Sequence, residues 1–227
     1  MYFCNTFIPN PITINTMKKN SFLLSALMML SVSMVGAQTI NLPAPNKAKK
    51  TATVMEALAA RHSERAFSDK KLTDQELSDL LWATTGKNRE DGKLTAPTAM
   101  NRQEIRVYVF TADKVSEYLP QTNQLQQITT GDHRAIVAGR QEAVKNAPVM
   151  LLLVADLDKF KSNNQHAQQM VAVDTGIACE NINIYCASVG LATVPRGTMD
   201  HDAIRKLLNL NDNQIPLINN PVGYPAK

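Results

Sequence analysis

The feature that most constrains the fold is one long helical segment late in the chain. Residues 165–189 carry apolar side chains almost all round the helix, with small residues between them. At about 1.5 Å per residue, this segment is roughly 37 Å long. A helix that is apolar on all sides has to be buried on all sides, and a single small domain rarely encloses one of this length. We therefore expect it to run through the middle of the molecule, at the interface of a homodimer.

Other helices are predicted on both sides of this segment. Thr73 and Glu76 have the spacing of a capping box, and an apolar face at i, i+3, i+4 and i+7 follows until Gly86. A helix over 51–60 is predicted to turn Val54, Leu58 and Ala59 inward. Further helices are expected over 113–118, 133–144 and 200–208.

The strand patterns are fewer. Residues 105–110 alternate and are rich in β-formers, and the continuous apolar run 149–155 indicates a strand buried on both faces. A short extended piece is expected at 191–194. In the last strand, 215–222, Pro216 and Pro221 favour an edge or a partial pairing. The segment 121–131 has no clear period.

The N-terminus has the three-part pattern of a signal peptide. Lys18 and Lys19 form a basic start, 21–35 an apolar run, and 35–37 the small residues that a signal peptidase requires. The run of about 15 residues is short for a membrane span, which needs about 20. We expect 1–37 to be removed after Ala37, with 1–16 an upstream extension before a true start at Met17. The alternative is an uncleaved N-terminal anchor.

Cleavage would give an exported, periplasmic protein with no stable membrane span. A polar segment with Pro43 and Pro45 follows, so 38–50 is expected to be a flexible or extended arm and 51–227 the folded domain. Removal of two lysines lowers the net charge from +4 to about +2. With few aromatic residues beside the basic clusters, this argues against nucleic-acid binding.

The cysteines and histidines are expected to have no metal or disulfide role. Cys179 and Cys186 lie seven residues apart on the long helix, about 10 Å along its axis, which is beyond the reach of a disulfide. We expect two buried free thiols. The four histidines are scattered without ligand spacing, so no metal site is expected.

A cluster of polar side chains follows the first helix. Arg61, His62, Ser63 and Arg65 fall within five residues. A guanidinium group is a planar fork of donors suited to phosphate, and a hydroxyl can reach a phosphate oxygen. The cluster is a candidate anion site. The alternative is a solvated helix end whose cations favour the C-terminal dipole.

Three separated motifs occur in a fixed order. They are 61–67, then 97–103, then the long helix with its continuation 190–197, followed by 222–225. In this order they resemble the FMN-dependent nitroreductase family, particularly its shorter branch related to azoline-forming oxidases, over about 55–227. The resemblance implies an α+β fold with a central, mostly antiparallel sheet flanked by helices. It also implies FMN at the interface of a homodimer, bound by residues of both chains.

The resemblance also implies roles for individual residues. Arg61 and Ser63 match the ligands of the FMN phosphate, with His62 between them. Arg65, Asn101 and Gln103 match the polar positions beside the flavin pyrimidine ring. The backbone of Gly197 and Thr198, in the turn that also contains Pro195 and Arg196, matches the groups that face flavin N5.

The chain departs from the family pattern at two places. Glu104 stands where the family usually has proline. The chain ends two residues after Pro225, with Lys227, whereas many members close the phosphate site with a later basic pair. Arg196 is one candidate to complete that site.

The expected function is that of an exported FMN-dependent oxidoreductase. It would transfer hydride through FMN in a ping-pong cycle to nitroaromatic, quinone or similar flat acceptors. NAD(P)H is a possible electron donor, although it is not expected to be abundant outside the cytoplasm. Two alternatives remain open, a flavin dehydrogenase or oxidase acting on a small organic or peptide-derived substrate and a non-catalytic flavin-binding protein.

Overall fold

A computed structural model describes residues 38–226, so the predicted signal peptide, its upstream extension and Lys227 lie outside the described residues. Within this range there are seven strands: β1 Thr39–Asn41, β2 Ile105–Phe110, β3 Lys114–Leu119, β4 Gln124–Thr130, β5 Val149–Asp156, β6 Ala192–Thr193 and β7 Gln214–Gly223. The same range has five α-helices: α1 Val54–Ala60, α2 Asp74–Thr85, α3 Arg134–Ala138, α4 Gln165–Val189 and α5 His201–Leu208. Short 3-10 turns lie at Ala99–Asn101, Glu142–Val144 and Leu157–Phe160.

The strands form one sheet in the order β1-β4-β3-β2-β5-β7-β6, and every neighbouring pair is antiparallel. The predicted α+β fold with a central antiparallel sheet is therefore confirmed. Successive residues of a strand point to opposite faces, and β5 follows this rule. Leu151 and Leu153 join the core under α4, whereas Met150 and Leu152 join the core under α3 and α5. Helices thus cover both faces of the sheet.

The helix α4 begins and ends where the sequence predicts. Asn164 caps its start by accepting from the Ala167 N–H at 2.9 Å, and Gly190 ends it in the left-handed region at φ 73°. One face, which includes Cys179 and Cys186, is buried against the sheet. The other face is exposed in the single chain, and Val173 is 54% accessible. Both cysteines are free and buried, as predicted, and burial raises the pKa of Cys179 to about 11.

Two helix predictions are wrong. Residues 113–118 lie in β3 rather than a helix, because this segment pairs with β2 on one side and with β4, which covers most of 121–131, on the other. The helix predicted over 133–144 breaks at Gly139, where φ is 60°, into α3 and a 3-10 turn. Glycine tolerates this left-handed geometry without the steric penalty of a Cβ atom.

The first helix forms, but the prediction of its inward face is wrong. Ala57 is its buried residue, while Val54 and Leu58 are 67% and 49% accessible and Ala59 is exposed. The helix packs on the C-terminal half of α4, with the Ala52 N–H bonded to the Ser188 carbonyl. Its apolar stripe therefore points away from the core of its own chain.

The segment 38–50 was expected to be either flexible or extended, and in the structure it is extended. β1 pairs with β4 at the sheet edge. Beyond it, the Asn46 N–H donates to Asp79 Oδ1 at 2.7 Å and the Ser78 hydroxyl donates to the Pro43 carbonyl at 2.6 Å. These bonds fix the segment along α2.

The last strand is also more fully paired than predicted. β7 runs beside β5 along its whole length, and β6 pairs with its end. A register shift between Leu153 and Val154 lies next to the pair formed by Val154 and Pro216. This irregularity accommodates a residue that cannot donate to the ladder.

Candidate active site

The first motif runs out of α1 as an extended segment with a fixed backbone. The Glu64 N–H donates to the Thr193 carbonyl of β6 at 3.0 Å. Farther along, the Ser68 N–H donates to the Tyr224 carbonyl at 2.9 Å, and the Ala226 N–H donates to the Ala66 carbonyl at 3.0 Å. The motif is therefore held between β6 and the C-terminal residues, so its side chains project from a defined backbone.

Three side chains of this motif are available to a ligand. Arg61, Ser63 and Arg65 are exposed, and their side chains have no hydrogen-bond partner within residues 38–226. Glu64 does not neutralise the arginines. Its Oε1 accepts from the Arg65 and Ala66 N–H groups at 2.7 and 2.8 Å, and these bonds lower the pKa of Glu64. Two free guanidinium groups and a hydroxyl suit an anion such as a phosphate.

A cavity of about 210 Å³ lies beside this motif. Its walls are Arg61, His62 and Glu64, then Asn183 and Ala187 of α4, with the residues that lead from α4 into β6. His62 Nδ1 lies 2.8 Å from the Ala60 carbonyl oxygen, and its Nε2 lies 3.8 Å from Glu64 Oε2. Pockets for drug-sized ligands usually measure about 300–1,000 Å³. One chain thus forms only part of a site for such a molecule.

The turn after β6 presents backbone donors on an open surface. The Arg196 N–H and carbonyl bond to the Asn219 carbonyl and N–H at 2.9 and 2.8 Å, which fixes the turn to β7. Pro195, Gly197 and Thr198 are exposed. The N–H groups of Gly197 and Thr198 have no acceptor in the described part of the chain, and a Cβ atom on Gly197 would meet nothing within 4 Å. A flat ligand can approach these two donors closely.

Arg196 has a structural role in this chain, and its side chain offers no free donor to a ligand. Its place among the cofactor-binding residues stays a prediction. The side chain is buried, and its Nε donates to Gln141 Oε1 at 2.9 Å. Its other four donors reach the carbonyls of Val137, Ala138 and Thr198 and the side chain of Asn219. All five donors are therefore used within the protein. Burial, and then the nearby charge of Arg65, lower the pKa of Arg196.

Asn219 is a residue that the sequence analysis missed. It is fully buried, and its amide nitrogen donates to the carbonyls of Arg196 and Thr198 at 3.2 and 3.1 Å. Asn220 beside it donates to Asn183 Oδ1 at 3.1 Å. Asparagine is depleted in strands, so two adjacent asparagines inside the last strand are the sequence signal that indicates this polar network.

The second motif lies elsewhere on the chain. The Ala99 N–H donates to Asp174 Oδ2 in the first half of α4 at 2.7 Å. Asn101 is exposed, with φ 52°, and its Oδ1 accepts from Gln103 Nε2 at 3.3 Å. Gln103 Nε2 also donates to the Gly92 carbonyl, and its Oε1 accepts from Gln121. Gln103 thus supports the loop, and Asn101 is the residue of this motif that faces solvent.

One chain does not bring all the predicted residues together. The first motif and the 195–198 turn lie at the C-terminal end of α4, where Ala187 lines the cavity. The second motif contacts α4 at Asp174. These two helix positions are 13 residues apart, which is about 20 Å at 1.5 Å per residue.

Comparison with known proteins agrees with this architecture. The sequence model of the nitroreductase family matches residues 58–224. A solved structure from Ralstonia eutropha that carries the nitroreductase name has a TM-score of 0.78 and 31% identity, covering 83% of this chain and 90% of that one. A Methanocaldococcus jannaschii protein with the same family name is 28% identical over 178 residues, which cover 74% of this chain and 89% of its own. The FMN reductase (NAD(P)H) of Bacillus subtilis is 26% identical over 188 residues, 76% of this chain and 66% of its own.

Fold, motif order and relatives define a protein of the oxidoreductase class. The chain belongs to the nitroreductase family. The resemblance of its three motifs to that family is confirmed.

The roles of Arg196 and Arg61 can be separated by stability. Arg196→Lys should lower the free energy of unfolding by about 2–4 kcal/mol, because an ammonium group leaves several buried acceptors without a donor. Arg61→Lys should change it by less than about 0.5 kcal/mol, since an exposed side chain without partners is replaced. Urea unfolding of both variants measures the difference. Equal stability of the two variants would contradict the structural role of Arg196.

Proposed function

We propose that this oxidoreductase is FMN-dependent and transfers hydride, through the flavin, from NAD(P)H to nitroaromatic, quinone or similar flat acceptors. The observation that carries the proposal is the pairing of two free guanidinium groups and a free hydroxyl with an open turn. Arg61, Ser63 and Arg65 supply the first part, and the N–H groups of Gly197 and Thr198 supply the second. The FMN reductase of Bacillus subtilis, whose name includes NAD(P)H, supports the cofactor and the donor.

The residues present fit FMN by their chemistry. Arg61 and Ser63 would hold the phosphate through charge-assisted hydrogen bonds. Arg65 carries a guanidinium cation, so it would stabilise negative charge on the pyrimidine ring. The open turn at Gly197 would admit the ring edge and offer a backbone donor. FMN supplies the two-electron chemistry, and the protein supplies binding, orientation and electrostatics.

The site is proposed to be completed by a second copy of the chain. Exposed apolar side chains lie on α1, at Val54, Met55 and Leu58, and at Val173 of α4. Two-fold pairing of two chains along α1 and α4 would bury these side chains, and antiparallel α4 helices would bring the Asp174 region of one copy to the Ala187 region of the other. Asn101 would then reach the flavin bound by Arg61 and Arg65 of the partner copy.

The protein is also proposed to act outside the cytoplasm, on the strength of the basic and apolar segments before Ala37. The mature protein, purified from the compartment in which it accumulates, should begin at Gln38 when its N-terminus is determined by mass spectrometry. A chain that retains residues 17–37 would contradict cleavage and favour an N-terminal anchor.

Flavin binding tests the cofactor directly. Mature protein mixed with FMN and desalted should keep absorbance near ~450 nm, and an Arg61→Ala/Ser63→Ala variant should bind FMN at least ~100-fold more weakly, because two charge-assisted bonds are lost. Lys206→Ala, which removes an exposed cation from α5, should bind like the parent. A parent that binds no FMN would overturn the proposal.

The same FMN-loaded sample can be used to test turnover. NADH or NADPH should bleach the bound flavin without oxygen, and a nitroaromatic or a quinone should restore its absorbance. Bleaching without reoxidation by either acceptor would favour the dehydrogenase or oxidase alternative. Bound flavin that no donor reduces would favour a non-catalytic protein.

Mixed dimers test the shared site. An Arg61→Ala/Ser63→Ala chain and an Asn101→Ala chain should each bind FMN weakly by themselves. When they are unfolded together and refolded at equal amounts, about one quarter of the sites should be native, because every mixed dimer has one site without a substitution. If both motifs served the same site within one chain, mixing would restore none. The oligomeric state is checked by light scattering.

A further inference from the structure

Glu104, the residue after the second motif, is a buried carboxyl group whose oxygens form no well-aligned hydrogen bond, although its own N–H and the Thr98 hydroxyl lie close to it. Its side chain is 0% accessible, and neither oxygen has a partner in residues 38–226. The Thr98 hydroxyl lies nearby without forming a well-aligned bond to either oxygen. The carboxyl group of Asp174, itself 5% accessible, lies within hydrogen-bonding reach. Two carboxyl groups therefore meet in the interior under residues 98–103.

The loop above this pair, 98–103, has an unfavourable backbone. Met100, Asn101 and Gln103 have φ values of 54°, 52° and 51°. For residues other than glycine, this left-handed geometry costs roughly 1–2 kcal/mol each. The loop is held by Asp174, which accepts from the Ala99 N–H, and by Thr98, whose Oγ1 accepts from the Gln103 N–H at 2.9 Å. Asp174 thus contacts both the loop and Glu104.

Among residues 38–226, no cation forms an ion pair with Glu104 or Asp174. Asp156, at the end of β5, donates its N–H to the Glu104 carbonyl, and its own carboxylate accepts from Gln214. On the strand and loop of Glu104 itself, Arg106 pairs with Glu117 and Arg102 donates to the Lys159 carbonyl. These groups, with Asp174 on α4, are the charged neighbours of Glu104 along the elements that surround it.

A single carboxylate in this position is poorly solvated, and two are mutually repulsive. Burial, and next the contact with Asp174, raise the pKa of Glu104 to about 8. A protonated Glu104 can donate to the Asp174 carboxylate, which satisfies one oxygen of each group. Loss of that proton leaves two buried negative charges beneath a strained loop.

We propose that a protonated Glu104 carboxyl group donates a hydrogen bond to Asp174, and that this pair forms a pH-sensitive catch that holds the 98–103 loop against α4. With the proton present, the pair is hydrogen-bonded and Asn101 is held in place. When alkaline pH removes it, repulsion between the two carboxylates separates the loop from α4. A consequence for flavin affinity, through Asn101, rests on the proposed function.

The direction of the pH effect on stability follows from linkage. The pKa of Glu104 is raised above its ordinary value of 4.5, so between about 4.5 and 8 the folded chain keeps a proton that the unfolded chain has lost. The stabilisation is complete at low pH and declines as pH rises through this window. An acid whose pKa is lowered by an ion pair shows the opposite dependence, because its stabilisation is lost as pH falls.

The first test uses FMN-free mature protein. The melting temperature of the parent should fall by at least about 5 °C between pH 5 and pH 8, while Glu104→Gln, which is neutral at all pH values, should lose most of this fall. Glu117→Gln, in the neighbouring ion pair, should keep the fall. An equal fall in the parent and in Glu104→Gln would overturn the proposal.

Two further measurements keep the outcome decisive. Asp174→Asn still accepts from the Ala99 N–H but removes the like charge. The fall in the melting temperature of this variant should therefore occur at lower pH than in the parent. An unchanged window in that variant would also overturn the pair, even if Glu104→Gln did not fold. With FMN, the parent's Kd should rise about fivefold from pH 8 to pH 9, as expected for the loss of one proton with a pKa near 8, and it should stay flat in Glu104→Gln. A parent that binds no FMN at any pH refutes the proposed function, while the melting data still decide the catch.

Discussion

The structure depends on how α4 packs against the sheet. One face of the helix contacts the sheet with Ala178, Ile182 and Cys186, and this burial anchors the helix. Its exposed positions include Val173 together with polar residues such as Gln169 and Glu180. The outward stripe of α1 is apolar and is also exposed. The fold of one chain is therefore complete, and a few large apolar side chains remain on its surface.

The same helix sets the geometry of the site. Its C-terminal half carries the cavity beside Arg61, and its N-terminal half holds the 98–103 loop through Asp174. Because a helix is stiff over this length, the two groups of residues remain about 20 Å apart in one chain. A site that uses both groups would have to combine residues of two copies of the chain, which is the arrangement proposed above.

Sequence patterns predicted the elements whose signals are local. The capping box of α2 is formed, with the Glu76 N–H bonded to Thr73 Oγ1, and α4 has the predicted ends. Sequence patterns failed where the structure of a segment depends on the element that packs against it. Residues 114–119 have little strand character by themselves, yet they pair on both sides because β2 and β4 offer two ladders. The apolar stripe of α1 was assigned to the core because periodicity reveals a face and not what covers it.

The candidate site was predicted in the same uneven way. Free cationic side chains are visible in the sequence, and Arg61, Ser63 and Arg65 are free in the structure. Arg196 looks similar in the sequence, but its side chain donates to four acceptors that lie far along the chain, on the α3 segment and β7, and to the nearby Thr198 carbonyl. Only the fold distinguishes these arginines. The same holds for Glu104, whose burial against Asp174 depends on a contact across 70 residues of chain.

The position of the cations gives the site its preference for anions. The first motif follows the C-terminal end of α1, where exposed carbonyl groups disfavour a negative ligand. Arg61 and Arg65 reverse that potential, and Arg196 adds a positive charge that has no carboxylate partner among its hydrogen bonds. Burial, and then the nearby charge of Arg65, lower the pKa of Arg196, so the two guanidinium groups repel each other. Under the proposed function, an anionic group bound beside Arg65 would relieve this repulsion, and the buried arginine would strengthen anion binding without touching the ligand.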